Sequence, residues 1–302
     1  MPKRKPSENR KTNRPPVVTT RAELRGAVER LRQAGKKIGI VPTMGSLHAG
    51  HLSLVEACCR ECDISVVTVF VNPTQFGPDE DYQAYPRSLE ADLSALAAHS
   101  VDLVFAPNAE EMYASAETTR IDVCGVSQPL EGQHRPGHFV GVATIVAKLL
   151  NLVGPQVAYF GQKDYQQSLV VRRMVEDLAM PVEIRVCPIV RDADGLALSS
   201  RNAKLTRADR QQAGVLSRCL VAAKEAIAAG ERSPASVLEK MRSAAATAPE
   251  VQFQYMALVD PETLAEVPSI EGPTLAALAA LVGSTRLIDN CFLDPADRST
   301  EL

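Results

Sequence analysis

Tryptophan is absent from the sequence and all aromatic residues together make up 4% of it, so aliphatic side chains must fill the interior that large rings would otherwise dominate. Long apolar runs are missing too. The longest candidate, near residues 139–153, is interrupted by Lys148, and no charge-free stretch reaches the roughly twenty residues of a membrane span. Strong charge is also lacking, with a formal net charge of −3 over 302 residues. Lys3, Arg4, Lys5, Arg10, Lys11 and Arg14 against Glu8 give the first sixteen residues +5, which leaves the rest near −8. A mildly acidic body argues against a nucleic-acid surface. Residues 1–17, polar and proline-bearing without an apolar run, read as a disordered basic tail and not as a signal peptide. Cysteines do not come in pairs: the seven of them (58, 59, 62, 124, 187, 219, 291) are an odd number in a chain long enough to need no staples, which points to reduced thiols in a cytoplasmic protein. Cys59-Arg-Glu-Cys62 has CxxC spacing, but no second pair follows and a closed zinc site takes four ligands. No metal ligand is assigned.

What is present is an alternation of strand and helix. Thr20-Arg-Ala-Glu23 has the form of a capping box, with Leu24, Val28 and Leu31 on one face of the helix it opens and Gly35 as its stop. Ile38–Val41, Ile64–Val71, Val101–Phe105, Val157–Phe160 and Val182–Pro188 read as strands. The run from Ile64, β-branched and almost wholly apolar, has the mark of a strand buried on both faces. Helical patterns at 51–61, 88–99, 140–152 and 165–179 separate them. Such βαβ order specifies an α/β fold, a Rossmann-like doubly wound parallel sheet with ligands at the carboxyl ends of its strands. Beyond about residue 190 come alanine-rich helical stretches (206–229, 233–246) and strand-like segments at 252–259, 274–282 and 286–288, which predict a smaller C-terminal α+β domain. The expected division is a tail at 1–17, a Rossmann-like domain at 18–189 and the smaller domain at 190–302.

Five segments carry chemical groups. Met44-Gly45-Ser46-Leu47-His48-Ala49-Gly50-His51 lies between a strand and a helix, where backbone N–H groups at the helix start are expected to face an anionic ligand and two imidazoles three residues apart share one face. H-x-G-H after a strand resembles the signature of the nucleotidylyltransferase superfamily. Leu198-Ser199-Ser200-Arg201-Asn202 follows a turn at Val190–Gly195 and resembles the KMSKS-type loop of the same superfamily; two hydroxyls and a guanidinium suit phosphate oxygens. Gly161-Gln162-Lys163-Asp164 ends a strand, with Lys163 as a point charge, Asp164 as a helix cap and Gln167 one turn into the helix. Asn72 and Gln75 lie just past the strand from Ile64, where amides can recognise hydroxyl and carboxylate groups without adding charge. The polar, proline-bounded stretch after them, through Arg87, reads as a lid. Finally, residues 130–139, with Glu131, Arg135, His134 and His138, read as a structured loop that either clamps substrate or joins subunits.

In this order the five segments resemble the pantothenate synthetase (pantoate–beta-alanine ligase) family, from about Val18 to about Asp289. The resemblance implies a homodimer that uses ATP with Mg²⁺ to join pantoate to beta-alanine through pantoyl adenylate. It implies ATP contacts at Met44, Gly45, Ser46, Leu47, His48, Ala49, Gly50, His51, Gly161, Gln162, Lys163, Asp164, Val190, Leu198, Ser199, Ser200 and Arg201, and pantoate and beta-alanine contacts at Gln75 and Gln167, to which the reading of the strand end adds Asn72. His48, His51, Lys163 and Arg201 are the expected catalytic groups. Ala49, Gln162 and Leu198 stand where the family more often has an acidic residue, Glu and Met, and none of the three removes a group that the chemistry needs. A nucleotidylyltransferase that stops at a nucleotide-linked product is the alternative within the superfamily; no nucleic acid or membrane partner is expected.

Overall fold

A computed structural model of the chain describes residues 14–78, 80–114, 117–297 and 299–302. The expected basic tail lies mostly outside these residues, as does Asp79 of the lid segment. Where the tail expectation meets the described chain, Arg14 pairs with Glu90 and Val17–Val18 forms a first short strand, β1.

Two compact units divide the described chain: residues up to Gly161 with Gln166–Pro188, and Gln162–Tyr165 with Ile189–Leu302. In the first, β1 is followed by α1 (Arg21–Gln33), opened by the expected Thr20/Glu23 capping box, β2 (Ile38–Thr43), α2 (Ala49–Glu61) and β3 (Ile64–Val69). Next come α3 (Leu89–Leu96), β4 (Leu103–Phe105), the short α4 (Ala109–Met112) and α5 (Glu131–His134), and α6 (His138–Val153). β5 (Val157–Gly161), α7 (Tyr165–Asp177) and β6 (Glu183–Cys187) complete the series. The six strands form one parallel sheet in the order β1-β4-β3-β2-β5-β6. Strand order reverses beside β2, whose neighbours are β3 and β5, and crevices at such a reversal are where open α/β sheets take ligands. β3 is buried along nearly its whole length and lies inside the sheet, as its continuous β-branched run requires.

Aliphatic residues carry the core of this unit, with Val41, Val55, Val67 and Val104 in one buried cluster with Tyr159. All seven cysteines are free thiols. Cys58 and Cys62 pack against Gly39 of β2, and Cys62 Sγ lies 3.4 Å from the Tyr159 hydroxyl. No group of three His, Cys, Asp or Glu side chains that could hold a metal occurs among the described residues, and no helix there is long and apolar enough to cross a membrane.

The second unit holds α8 (Arg207–Ala213), α9 (Val215–Ala228) and α10 (Pro234–Ala245) with an antiparallel sheet of β7 (Gln252–Val259), β8 (Thr274–Val282) and β9 (Thr285–Leu293). Leu216, Leu220, Met241, Leu278 and Leu287 lie in its core. The helical run expected over 206–229 is two helices that meet at Gly214. β9 runs well past the expected 286–288, because Asp289 and Asn290, polar enough to suggest a strand end, are buried within it and fully engaged by side chains and backbone of the same unit.

Candidate active site

The segment from Met44 to His51 is fastened by its own two imidazoles together with Thr43 and Asp92. Gly45 and Ser46 take positive φ, +80° and +53°, so the chain leaves β2 in a left-handed turn that only glycine adopts without strain. Thr43 Oγ1 accepts from Gly45 N at 3.2 Å. The carboxylate of Asp92, on α3, accepts from Ser46 N at 3.2 Å and Leu47 N at 2.8 Å. His48 is the N-cap of α2: its Nδ1 accepts from Gly50 N at 3.1 Å, while Nδ1 of His51 accepts from His48 N at 3.4 Å. The backbone N–H groups expected to face a ligand are therefore mostly spent within the protein, on Thr43, Asp92 and the imidazoles. With both Nδ1 atoms accepting, each neutral ring carries its proton on Nε2, and the two rings lie 4.1 Å apart between centroids. Burial pushes the Asp92 carboxyl above the usual range, against the pull of the Leu47 and Ser46 N–H groups.

Next to this loop a cavity of about 270 Å³ opens beside Met44 and Asp92, with Phe70, Tyr82 and Arg87 in its wall. Tyr82 and Arg87 belong to the segment expected as a lid. Its described residues fold around Phe76, whose ring meets those of Tyr82 and Tyr85 edge-on, and Arg87 stacks over Tyr82.

Asn72 and Gln75, adjacent to the end of β3, have different situations. Asn72 is wholly committed: Nδ2 donates to Gln75 Oε1 (2.9 Å) and Gly141 O (3.2 Å), and Oδ1 accepts from the hydroxyls of Tyr113 (2.7 Å) and Thr74 (2.9 Å). Its amide is turned on its neighbour and not outward, so it holds Gln75 in place. The Gln75 Nε2 group has no hydrogen-bond partner among the described residues. The turn at Pro73–Gln75 sits directly on α6, where a Cβ on Gly141 would come within 2.3 Å of Thr74 O.

The 130–139 loop fastens this same segment. Arg135 pairs with Glu80 at 2.7 Å and donates to His138 Nε2 at 3.1 Å, which leaves His138 Nδ1–H to donate to Gln75 O at 2.8 Å. Burial, helped by the adjacent Arg135 charge, pushes the His138 imidazole down to about 4. Neighbouring glutamines on α7 differ in the same way. Gln166 is buried and fully used, donating to Val126 O and Pro129 O and accepting from Glu131 N. Gln167 is half-buried, with no hydrogen-bond partner among the described residues.

In the second unit, Gln162–Asp164 forms a 3-10 turn ahead of α7. Lys163 Nζ lies 3.6 Å from Asp164 Oδ1. Gln162 Nε2 donates to Asn290 Oδ1 at 3.3 Å, and Asn290 Nδ2 donates to the carbonyls of Gln162 and Lys163, both at 3.0 Å. The Val190–Leu198 segment is a tight hairpin, closed by Leu198 N to Val190 O (2.9 Å) and bridged between Arg191 and Ala197. Arg191 binds Asp289 through both terminal nitrogens, at 2.6 and 3.0 Å. Beyond the hairpin, Ser199 caps a 3-10 turn over Ser200–Lys204 by accepting from Arg201 N, and Asn202 Nδ2 donates back to Ala197 O at 3.1 Å. Sequence reading found the groups that end in these turns. It missed Asn290 and Asp289, which hold them, and Asp92, which holds the Met44–His51 loop, because each acts on a partner far away in the chain.

Comparison with known proteins identifies the family. A family model described as pantoate-beta-alanine ligase matches residues 16–292. A pantothenate synthetase of Acidobacterium capsulatum is 52% identical over 91% of this chain and 95% of its own length, and one of Moorella thermoacetica is 50% identical over 93% and 99%. Among solved structures, pantothenate synthetase from Thermus thermophilus superposes with a TM-score of 0.88 at 49% identity, covering 91% of this chain and 98% of that one. The ligase from Francisella tularensis, complexed with beta-gamma ATP and beta-alanine, gives 0.78 at 33% identity, over 94% and 98%. The chain belongs to the pantoate-beta-alanine ligase family.

Proposed function

We propose that this protein condenses (R)-pantoate with beta-alanine, using ATP, to give pantothenate, AMP and pyrophosphate through pantoyl adenylate. The observation that carries the reading, beyond family membership, is the pair of imidazoles at the start of α2, both bound at Nδ1 and both carrying their donor on Nε2. In the first step the pantoate carboxylate attacks the α-phosphorus of ATP and pyrophosphate leaves. A carboxylate needs no base for this; the obstacle is charge. His48, His51, Lys163 and Arg201 lower it by stabilising negative charge as it shifts among the phosphate oxygens. Ser199 and Ser200 add hydroxyls to the pyrophosphate portion, and the remaining ATP contacts are those of Met44–His51, Gly161–Asp164, Val190 and Leu198. Mg²⁺ enters with ATP as part of the substrate, in keeping with that ion's habit of binding through phosphates and water.

In the second step the unprotonated amine of beta-alanine attacks the acyl carbon, AMP leaves and the amine gives up a proton. Gln75, through the Nε2 group that the fold leaves without a partner, and Gln167, through its amide, hold pantoate and beta-alanine, and Asn72 holds Gln75 by its Oε1. The acyl adenylate has to be kept from water, the task of the segment through Arg87. The enzyme is a homodimer by family resemblance, which sedimentation tests. Seven free thiols favour a cytoplasmic location.

Pantoate-dependent ATP–pyrophosphate exchange, followed by AMP release on adding beta-alanine, tests the reading directly. Loss of one preorganised donor costs about 100- to 1,000-fold, so His48→Ala or His51→Ala lowers exchange by that factor with the fold intact. Exchange near the wild-type rate in either variant would refute the assignment.

A further inference from the structure

Asp289 and Asn290 are consecutive residues of β9, both buried, and successive strand residues face opposite ways. Each engages a different functional turn. Asn290 uses its whole carboxamide on the turn that bears Lys163: both donor directions end on main-chain carbonyls, of Gln162 and Lys163, and its oxygen accepts the Gln162 amide. Asp289 takes the guanidinium of Arg191 in a two-point pair, and Arg191 also donates to Gly195 O (3.0 Å) and Asn290 O (3.3 Å). That hairpin delivers Ser199, Ser200 and Arg201. One two-residue step of a strand therefore fixes the backbone under both groups of phosphate ligands named above.

Packing alone would not call for this. An aliphatic residue at 290 would fill the space, whereas a carboxamide with three bonds to one turn defines where that turn lies. A cation acts on a developing charge through its position, and a misplacement of about 1 Å can cost about 100-fold in rate. We propose that Asn290, together with the Asp289–Arg191 pair, is a positioning residue of the adenylation step, acting through Lys163 and the Ser199–Arg201 turn. The proposal rests on the reading of Lys163 as a phosphate ligand.

Three variants of the full-length chain test it: Asn290→Ala, Lys163→Ala and the double variant, with melting temperatures to confirm folding. Asn290→Ser, which keeps one donor, serves if Asn290→Ala does not fold. The expected result for Asn290→Ala is exchange lowered by about 10- to 100-fold, with aminolysis of supplied pantoyl adenylate by beta-alanine within about twofold of wild type. In the Lys163→Ala background, loss of Asn290 lowers exchange by much less than it does alone, because the group it positions is gone. Equal losses in both half-reactions, or losses that multiply independently in the double variant, overturn the proposal. Unimpaired exchange in Lys163→Ala itself would remove the phosphate reading beneath it, a failure distinguishable from the others because it occurs in the single variant.

Discussion

The loop after β2 and the two turns of the second unit are held in place by different means. In the loop, much of the fastening comes from close by in the chain: His48 and His51 cap the helix they begin and Thr43, at the end of β2, binds Gly45, while Asp92 reaches in from α3. In the turns, fastening comes from far along the chain. Asn290 lies 127 residues from Lys163, and Asp289 98 residues from Arg191. Gln75 follows the second pattern, its carbonyl held by His138 from 63 residues away. Local fastening leaves little for distant substitutions to disturb, whereas remote fastening makes the site depend on residues that never meet substrate.

The largest effect that would break this contrast is expected at Asp289. Asp289→Ala leaves Arg191 buried without its partner, and loss of one member of a buried pair costs about 3–5 kcal/mol; urea unfolding measures it. A loss below about 1 kcal/mol would mean that the hairpin does not depend on β9. His138 offers a test through pH. Its folded pKa of about 4 lies below the unfolded value of about 6.5, so above pH 6.5 both states are neutral and stability is complete. Between 6.5 and 4 the unfolded chain takes up a proton that the folded chain refuses, and stability falls as pH falls. The shift corresponds to a loss of about 3 kcal/mol by pH 4. His138→Gln should flatten that part of the pH profile, and a variant that loses stability in parallel with wild type would count against the buried neutral ring.

Smaller effects sharpen the comparison. Asp92→Asn keeps one acceptor for the Ser46 and Leu47 N–H groups and loses the other, at a cost of about 1–3 kcal/mol; thermal unfolding and pyrophosphate exchange should both register it. An unchanged Tm would make the loop wholly self-fastened. The finest contrast is between adjacent residues of α7. Gln166→Ala strands two carbonyls and one N–H, which should cost about 1–3 kcal/mol with only an indirect effect on KM. Gln167→Ala should change stability by less than about 0.5 kcal/mol while raising the KM of pantoate or beta-alanine. An exchange of these outcomes would reverse the roles assigned to the pair.

The same contrast explains what could be read from the sequence. The parallel sheet, the strand buried on both faces and the His48–His51 motif are written in short windows, as β-branched runs and as a spacing that a helix start turns into geometry. Gln75 and Gln167 could be found because they follow a strand and open a helix. Asn72 could be placed but its use could not, since nothing local distinguishes an amide that faces substrate from one that holds its neighbour. Asp289 and Asn290 looked like the end of a strand because their partners, Arg191 and the Gln162–Lys163 turn, lie some hundred residues upstream. β1 was hidden because two valines make no pattern until Val104 and Phe105 pair with them.

Gly141 carries one more consequence. With no side chain there, the main chain of Thr74–Gln75 rests on the main chain of α6, so no layer of rotamers intervenes between helix and turn. Drift among the apolar residues that α6 buries elsewhere, such as Val142, Ile145 and Val146, has little means of reaching Gln75. The side chain at position 75 can therefore be exchanged against a backbone that stays put, which lets the proposed pantoate contact be tested at that side chain alone, provided that position 141 remains glycine.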